Sequence, residues 1–305
     1  MNILLTGCNG QLGLEFQKAA GISPFAIVAT DQRELDITDE DAVANLFKPP
    51  SFDLVINAAA FTAVDQAEAD PDSAYAVNRD GPANLAKICA HHGIPLIHFS
   101  TDYVFDGNQH TPYRETDATH PLGVYAVSKD EGEREVRKRL ANHLIIRTSW
   151  LFSAHGNNFV KTILRLARER ELLRVVDDQL GCPTSAKDLA HVALDLAKRV
   201  QRRETIPWGT YHYCNRGECS WYGFTKEILA QGSKHETFKV KEIVPITTDQ
   251  YPLPARRPPY SVLDTMKYTR AFDQTPPHWQ ESLGVVLAEL YGKKTTRHTQ
   301  TGAHA

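Results

Sequence analysis

The stretch MNILLTGCNGQLGLEF, residues 1–16, places a short apolar run ahead of Gly7, Gly10 and Gly13 and sets Leu12, Leu14 and Phe16 at helical spacing behind the turn. Glycine permits a tight backbone turn, and a helix N-terminus offers unpaired N–H groups and partial positive charge to a pyrophosphate. A glycine pattern alone is a weak signal. A strand before it and a helix after it make it a dinucleotide-binding turn. Working outward, Ile3–Thr6 is joined by β-rich runs at Ala26–Thr30, Leu54–Asn57, Leu96–Ser100 and Leu144–Thr148, separated by helical patterns at Asp39–Phe47, Tyr75–His91 and Lys129–Leu140. That alternation predicts an α/β fold: a parallel sheet flanked by helices on right-handed crossovers.

With the glycine turn on its first strand, the expected sheet is Rossmann-type, and residues 1–150 form the principal dinucleotide-binding region. After Trp150 the pattern becomes mixed, with amphipathic runs at Asn158–Arg170 and Lys187–Arg202. Residues 151–292 are expected to add to the sheet and to build most of a smaller mixed α/β substrate-binding domain. Pro252, Pro254, Pro258 and Pro259 make Gln250–Tyr260 a shaped loop. Residues 293–305, KKTTRHTQTGAHA, are polar without apolar periodicity and read as a flexible tail.

The 305 residues carry 34 basic and 37 acidic side chains, a formal charge of −3, so no global positive field gathers nucleic acid or acidic lipid. Five scattered cysteines suit reduced thiols better than a disulfide scaffold, and no apolar stretch reaches membrane-spanning length. The expectation is a soluble cytoplasmic protein.

Asp31 ends the second strand, where a carboxylate accepts hydrogen bonds from an adenosine ribose; Arg33 nearby can offset its repulsion of a ribose phosphate, so NADH and NADPH both stay open. Tyr125 and Lys129, in YAVSK, share one face if that segment is helical. A phenol there can deliver a proton to a carbonyl oxygen as it is reduced, with the ammonium stabilising the phenolate. Lowering the phenol from its usual pKa of about 10 to about 7 requires roughly 4 kcal/mol, a task for Lys129 and an oxidised cofactor together. In STDYVFDG, residues 100–107, Thr101 can donate to the developing oxyanion and Asp102 can accept from a sugar hydroxyl; the bland alternative is a capped strand end.

Together with NAAAFTAVDQAE (57–68), RTSW (147–150), GNNFVKTILRLA (156–167) and DDQLGCPT (177–184), these motifs resemble the dTDP-4-dehydrorhamnose reductase family of extended short-chain dehydrogenase/reductases, up to about Tyr291. The resemblance implies the last step of dTDP-L-rhamnose synthesis, reduction of a dTDP-linked 4-keto-6-deoxyhexose by NADPH or NADH, with Thr101, Tyr125 and Lys129 catalytic. It implies a cofactor site of Gly7, Gly10, Gln11, Leu12, Gly13, Asp31, Asp36, Ile37, Ala60, Phe61, Thr62, Tyr125 and Lys129. It also implies that Thr101, Asp102 and Trp150 touch the sugar nucleotide.

In the second half, Asn158 reads either as a nucleotide contact or as a helix cap, and Arg257 as a fork for diphosphate oxygens; Arg256 stands where a less basic residue is usual. Members of the family include metal-linked dimers. Glu15, Asp188 and Glu289 match plausible carboxylates, but Lys187 replaces an acidic position and works against Mg²⁺, so no metal ligand is assigned and monomer and homodimer both stay open. His212, Cys214 and Cys219 lack the spacing of a structural zinc site. The alternatives to a reductase are a nucleotide-sugar epimerase and a non-enzymatic regulatory subunit resembling the methionine adenosyltransferase beta subunit.

Overall fold

The computed structural model describes residues 1–21, 23–48 and 52–299. Its first half runs β1 (Asn2–Thr6), α1 (Gln11–Ala20), β2 (Ala26–Thr30), α2 (Glu40–Leu46), β3 (Leu54–Asn57), α3 (Val64–Ala69), α4 (Pro71–Tyr75), α5 (Gly81–His92), β4 (Leu96–Thr101), α6 (Val124–Arg139) and β5 (His143–Thr148). The chain continues through β6 (Leu151–Phe152), α7 (Phe159–Glu169), β7 (Leu172–Val176), β8 (Leu180–Gly181), β9 (Thr184–Ser185), α8 (Ala186–Gln201) and β10 (Gly209–His212). It ends with β11 (Cys219–Ser220), α9 (Trp221–Gly232), β12 (Glu242–Ile246), α10 (Met266–Phe272) and α11 (Trp279–Thr299).

Six strands pair in the order β10-β5-β4-β3-β1-β2, all parallel. Because β2 and β3 lie on opposite sides of β1, the strand order reverses there, and a crevice opens beyond the carboxyl ends of β1 and β3. Side chains alternate along each strand, so the sheet has two apolar faces. Ile3, Leu5, Leu54, Ile56, Leu144 and Ile146 pack against α1 and α8. Leu4, Val55, Leu96 and Ile145 face the other way, onto Val43 of α2, Leu85 of α5 and Val136 of α6. A further apolar cluster joins Phe152, Val160, Phe224 and Trp279. Short pairs, β7 with β12, β8 with β11 and β6 with β9, accompany it.

Differences from the sequence expectations have local causes. The helix expected over Tyr75–His91 begins at Pro71 and passes through a π-helical turn, Ala76–Asp80, whose extra residue turns Asn78 into the interior. The helix expected from Lys129 begins at Val124, so Tyr125 and Lys129 both lie on it. Helical backbone of α11 continues to Thr299, into the segment expected to be a flexible tail, and residues 300–305 lie outside the described residues. All five cysteines are free. Among the described residues no helix is long and apolar enough to cross a membrane.

One buried ion pair ties α6 to β5. Glu133 accepts from Arg147 Nε at 2.8 Å and Nη2 at 2.7 Å, and from Arg137 Nη1 at 2.7 Å. Burial acts to raise the Glu133 pKa, but the Arg147 charge and its hydrogen bonds overcome this and hold it down at about 2. The stabilisation is therefore complete above the unfolded carboxylate pKa of about 4.3 and is lost as pH falls through about 2. Arg147→Met should destabilise the protein by about 3–5 kcal/mol at pH 7, because it strands a buried carboxylate. Urea unfolding checks this; a loss below about 1 kcal/mol would mean that water or a neighbour compensates Glu133.

Candidate active site

The crevice begins at the glycine turn. Gly7 has φ +70°, and a Cβ there would lie 2.5 Å from the backbone nitrogen of Ala59; one on Gly13 would lie 2.3 Å from the Gly7 carbonyl oxygen. These two glycines bring the turn against the end of β3 and against its own helix. Gly10, by contrast, leaves the N-terminus of α1 without a side-chain cap, its orphan N–H groups available to an anion. Asp31, at the end of β2, accepts from Asn9 Nδ2 and from the Arg33 backbone N–H.

Other residues expected around a cofactor have more structural surroundings. Asp36 accepts from the Thr38 backbone and hydroxyl, Ile37 packs where a Cβ on Gly81 would clash, and Leu12 is buried on the α1 face of the sheet. Ala60, Phe61 and Thr62 follow β3 in an extended loop. Asn78 holds that loop on both sides of Phe61: it accepts from the Phe61 N–H at 2.9 Å and donates to the Phe61 carbonyl at 3.0 Å. Its amide also donates to Ser128 Oγ at 3.1 Å, joining the loop to α6. A lone asparagine in a helical pattern gave no sign of this, since only the π-turn aims it inward.

Beyond β4, Thr101 and Asp102 are both buried, and the Thr101 hydroxyl donates to Asp102 Oδ1 at 3.1 Å. Tyr125 keeps part of its surface open, yet protein crowds its hydroxyl: burial pushes its pKa up to about 12, opposed by a hydrogen bond with Thr101. The structure thus brings Thr101 and Tyr125 together, with Lys129 one helical turn further. Lys129 is 2% exposed and donates from Nζ to the Phe99 carbonyl at 2.6 Å. Burial lowers its pKa to about 8, with Glu133 opposing. Lys129 does not figure among the groups that shift Tyr125, so the lowered phenol pKa expected from sequence is not a property of the protein by itself.

On the far side lies a cavity of about 1040 Å³ whose walls include Phe159, Gln179, Trp221, Arg256 and Arg257. Trp150, in the left-handed region at φ 45°, stacks its indole on Trp221 with centroids 3.5 Å apart, over Gly181, where a Cβ would strike the ring at 2.5 Å. Asn158 acts as the α7 cap, accepting from the Lys161 N–H, while its amide donates to Gln11 Oε1 and to the carbonyls of Ser153 and His155. It therefore joins the glycine-turn helix to the second half of the chain. Arg257 grips Asp65 through Nη1 and Nη2 at 3.0 and 2.7 Å.

Within one chain, the carboxylates singled out in the sequence do not all gather at one point. Glu15 and Glu289 do come together, but their neighbour is His155, with Nε2 at 3.6 and 3.8 Å, and Lys18 donates to Glu289. Asp188 lies elsewhere, accepting from Asn215 and Ser282. His212 and Cys214 are engaged by the Tyr113 and Leu263 carbonyls, respectively.

A glycine turn at the switch point of a parallel sheet, with a Tyr/Lys pair on the helix after β4, defines a Rossmann-type dehydrogenase class. The chain belongs to the family described as the RmlD substrate binding domain, whose model matches residues 1–291. It is 44% identical over 294 residues to the dTDP-4-dehydrorhamnose reductase of Aggregatibacter actinomycetemcomitans, covering 94% of this chain and 98% of that protein. Two crystal structures described as dTDP-4-dehydrorhamnose reductases superpose with TM-scores of 0.87. The Clostridium acetobutylicum protein is 41% identical, covering 95% of this chain and 99% of that one. The Bacillus anthracis protein, in complex with NADP, is 36% identical, covering 94% and 99%.

Burial pushes the Asp102 carboxyl up to about 7, against hydrogen bonds from Ser261 and Thr101 that favour its ionised form. Its folded pKa thus lies above the unfolded value of 3.8, so the folded state binds the proton more tightly and loses stability as pH rises through that interval. Asp102→Asn mimics the neutral form and should stabilise the protein by at least about 1 kcal/mol more at pH 8 than at pH 5. Denaturant midpoints at the two pH values test this; equal gains would show that Asp102 is ionised throughout.

Proposed function

We propose that this chain is a dTDP-4-dehydrorhamnose reductase, converting dTDP-4-dehydro-β-L-rhamnose to dTDP-β-L-rhamnose in the last step of dTDP-L-rhamnose synthesis. The observation that carries the reading is the meeting of Thr101 and Tyr125 at the end of β4, with buried Lys129 one turn along α6. Relatives named for this reaction over nearly the whole chain support it.

The cradle fits a reduced nicotinamide dinucleotide: Gly7 and Gly13 admit only hydrogen where the backbones meet, and Gly10 leaves the first turn of α1 uncapped toward a pyrophosphate. Asp31 stands at the strand end where a ribose is held, and the backbone of Ala60–Thr62, pinned by Asn78, forms the neighbouring wall. When bound, the cofactor supplies the hydride that reduces C4 of the sugar. The protein's part is to orient the ketone and deliver a proton. Thr101 donates to the carbonyl oxygen as negative charge develops, and Tyr125 transfers its phenolic proton to that oxygen. Lys129, one turn along α6, supplies the ammonium that together with the bound cofactor stabilises the phenolate. Trp150 and Asp102 bound the sugar, and Arg257, on the cavity wall, takes the diphosphate. The five free thiols support a cytoplasmic setting.

Cofactor balance separates this from epimerisation on the same Tyr/Lys pair: the reductase consumes one reduced cofactor per product, whereas an epimerase turns over without net oxidation. Tyr125→Phe keeps the ring and removes the proton donor. Turnover should fall at least about 10²-fold with NADPH binding little changed, measured by NADPH oxidation and by titration. Near-normal turnover in the folded variant excludes Tyr125 as the donor.

A further inference from the structure

The short helix α3, VDQAEA, carries two carboxylates three residues apart, Asp65 and Glu68, which share one face of a helix. They reach in different directions, to the two parts of the site that the reaction must bring into register.

Asp65 reaches Arg257. Its Oδ1 accepts from Arg257 Nη1 at 3.0 Å and from the Ala255 backbone N–H at 3.1 Å, and its Oδ2 accepts from Nη2 at 2.7 Å. The remaining hydrogen on Nη1 goes to the Ala255 carbonyl at 2.8 Å. Of the five N–H donors of a guanidinium, these bonds occupy three. The two left, Nε–H and the second hydrogen of Nη2, are parallel and lie along one edge, a geometry that matches two oxygens of a diphosphate. Asp65 thus holds in one rotamer a side chain that is only 16% exposed and that forms part of the cavity wall. An unrestrained arginine would have to lose that rotamer freedom on binding.

Glu68 reaches the catalytic helix. Helix α6 starts after Gly123, which has no side chain to satisfy the first N–H groups. Glu68 supplies the acceptor from outside: its Oε1 takes the Val124 N–H at 2.8 Å, and Tyr125 is the next residue. Gly123 is part of this arrangement, since a Cβ on it would lie 2.6 Å from Glu68 Oε1. Its φ of −139° suits any residue, so the glycine is there for the space and not for the backbone conformation.

We infer that Asp65 and Glu68 are positioning residues of the reductase, Asp65 presenting the free edge of Arg257 to the substrate diphosphate and Glu68 fixing the helical turn that carries Tyr125. The inference rests on the roles given above to Arg257 and Tyr125, and the experiment separates its failure from theirs. Steady-state kinetics with dTDP-4-dehydrorhamnose and NADPH are measured for Asp65→Asn, Arg257→Ala and their double variant, and for Glu68→Ala, Glu68→Gln, Gly123→Ala and Tyr125→Phe, with NADPH affinity as the check on folding.

Asp65→Asn puts an amide N–H against a guanidinium N–H. It should raise KM for the sugar nucleotide about tenfold with kcat little changed, Arg257→Ala should raise it about thirtyfold, and the double variant should match Arg257→Ala. Glu68→Ala should lower kcat about fivefold at unchanged KM, whereas Glu68→Gln, which keeps the acceptor oxygen, should recover nearly all of it. Gly123→Ala should reproduce the Glu68→Ala loss, with no further loss when the two are combined, and Glu68→Ala should add nothing in a Tyr125→Phe background.

An unchanged or lower KM in Asp65→Asn beside a large loss in Arg257→Ala overturns the Asp65 assignment; a lower one would mean that Asp65 competes with the diphosphate. Normal kcat in Glu68→Ala beside an inactive Tyr125→Phe overturns the Glu68 assignment, as does a Gly123→Ala effect additive with it. If Arg257→Ala or Tyr125→Phe is itself unaffected, the role of that residue fails and its positioning partner falls with it.

Discussion

An ammonium sits almost wholly enclosed between α6 and the sheet, and much of the active centre is arranged around keeping it there. Lys129 is only 2% exposed, so burial works against its charge and brings its pKa down to about 8. Two features hold the charge in place. The Phe99 carbonyl, at the end of β4, accepts one N–H, and Glu133, one turn further along the helix, supplies a compensating negative charge. Glu133 would itself be costly in that position without Arg147 and Arg137. The charged groups of α6 and β5 therefore form one buried system in which each member answers another. This system locks the helix that carries Tyr125 onto the strand that carries Thr101.

Close backbone approach does comparable work on the other side. Gly7 lies against Ala59 and Gly13 against the turn itself, so the ends of β1 and β3 meet with no side chain between them. Asn78 then pins the loop beyond β3 to α6 through Ser128, whose hydroxyl in turn donates to the Tyr125 carbonyl at 2.8 Å. The loop after β3 and helix α6 share hydrogen bonds, so their relative placement does not depend on side-chain packing alone.

Much of this was legible in the sequence, and the limits have physical reasons. Strand positions were readable because each strand in the middle of a doubly covered sheet is apolar on both faces, as in LVIN, where all four residues are buried. The glycine turn and YAVSK declare themselves because their chemistry is local to a few residues. Helix starts were less visible: after Gly123 the first N–H of α6, that of Val124, is accepted by Glu68, 56 positions before Val124 in sequence. Arg257 showed its charge but not its partner, because Asp65 lies 192 positions away in sequence. Charge type likewise gave no sign that His155 lies beside Glu15 and Glu289 within one chain. Long-range pairing of this kind is set by topology, which composition and periodicity do not encode.

The two groups on α6 also exchange their usual order of acidity. Free lysine and tyrosine side chains lose their protons at closely similar pH, near 10. Here burial moves them apart, to about 8 for Lys129 and about 12 for Tyr125, because desolvation disfavours a cation in one case and an anion in the other. The phenol therefore retains its proton after the ammonium has begun to lose its own. An unperturbed phenol, with a pKa of about 10, is already protonated at neutral pH, so burial does not load the proposed donor. It makes Tyr125 a weaker acid, and a reduction must offset that when substrate and cofactor are in place. The contact with Thr101 at the end of β4 works the other way and favours the phenolate.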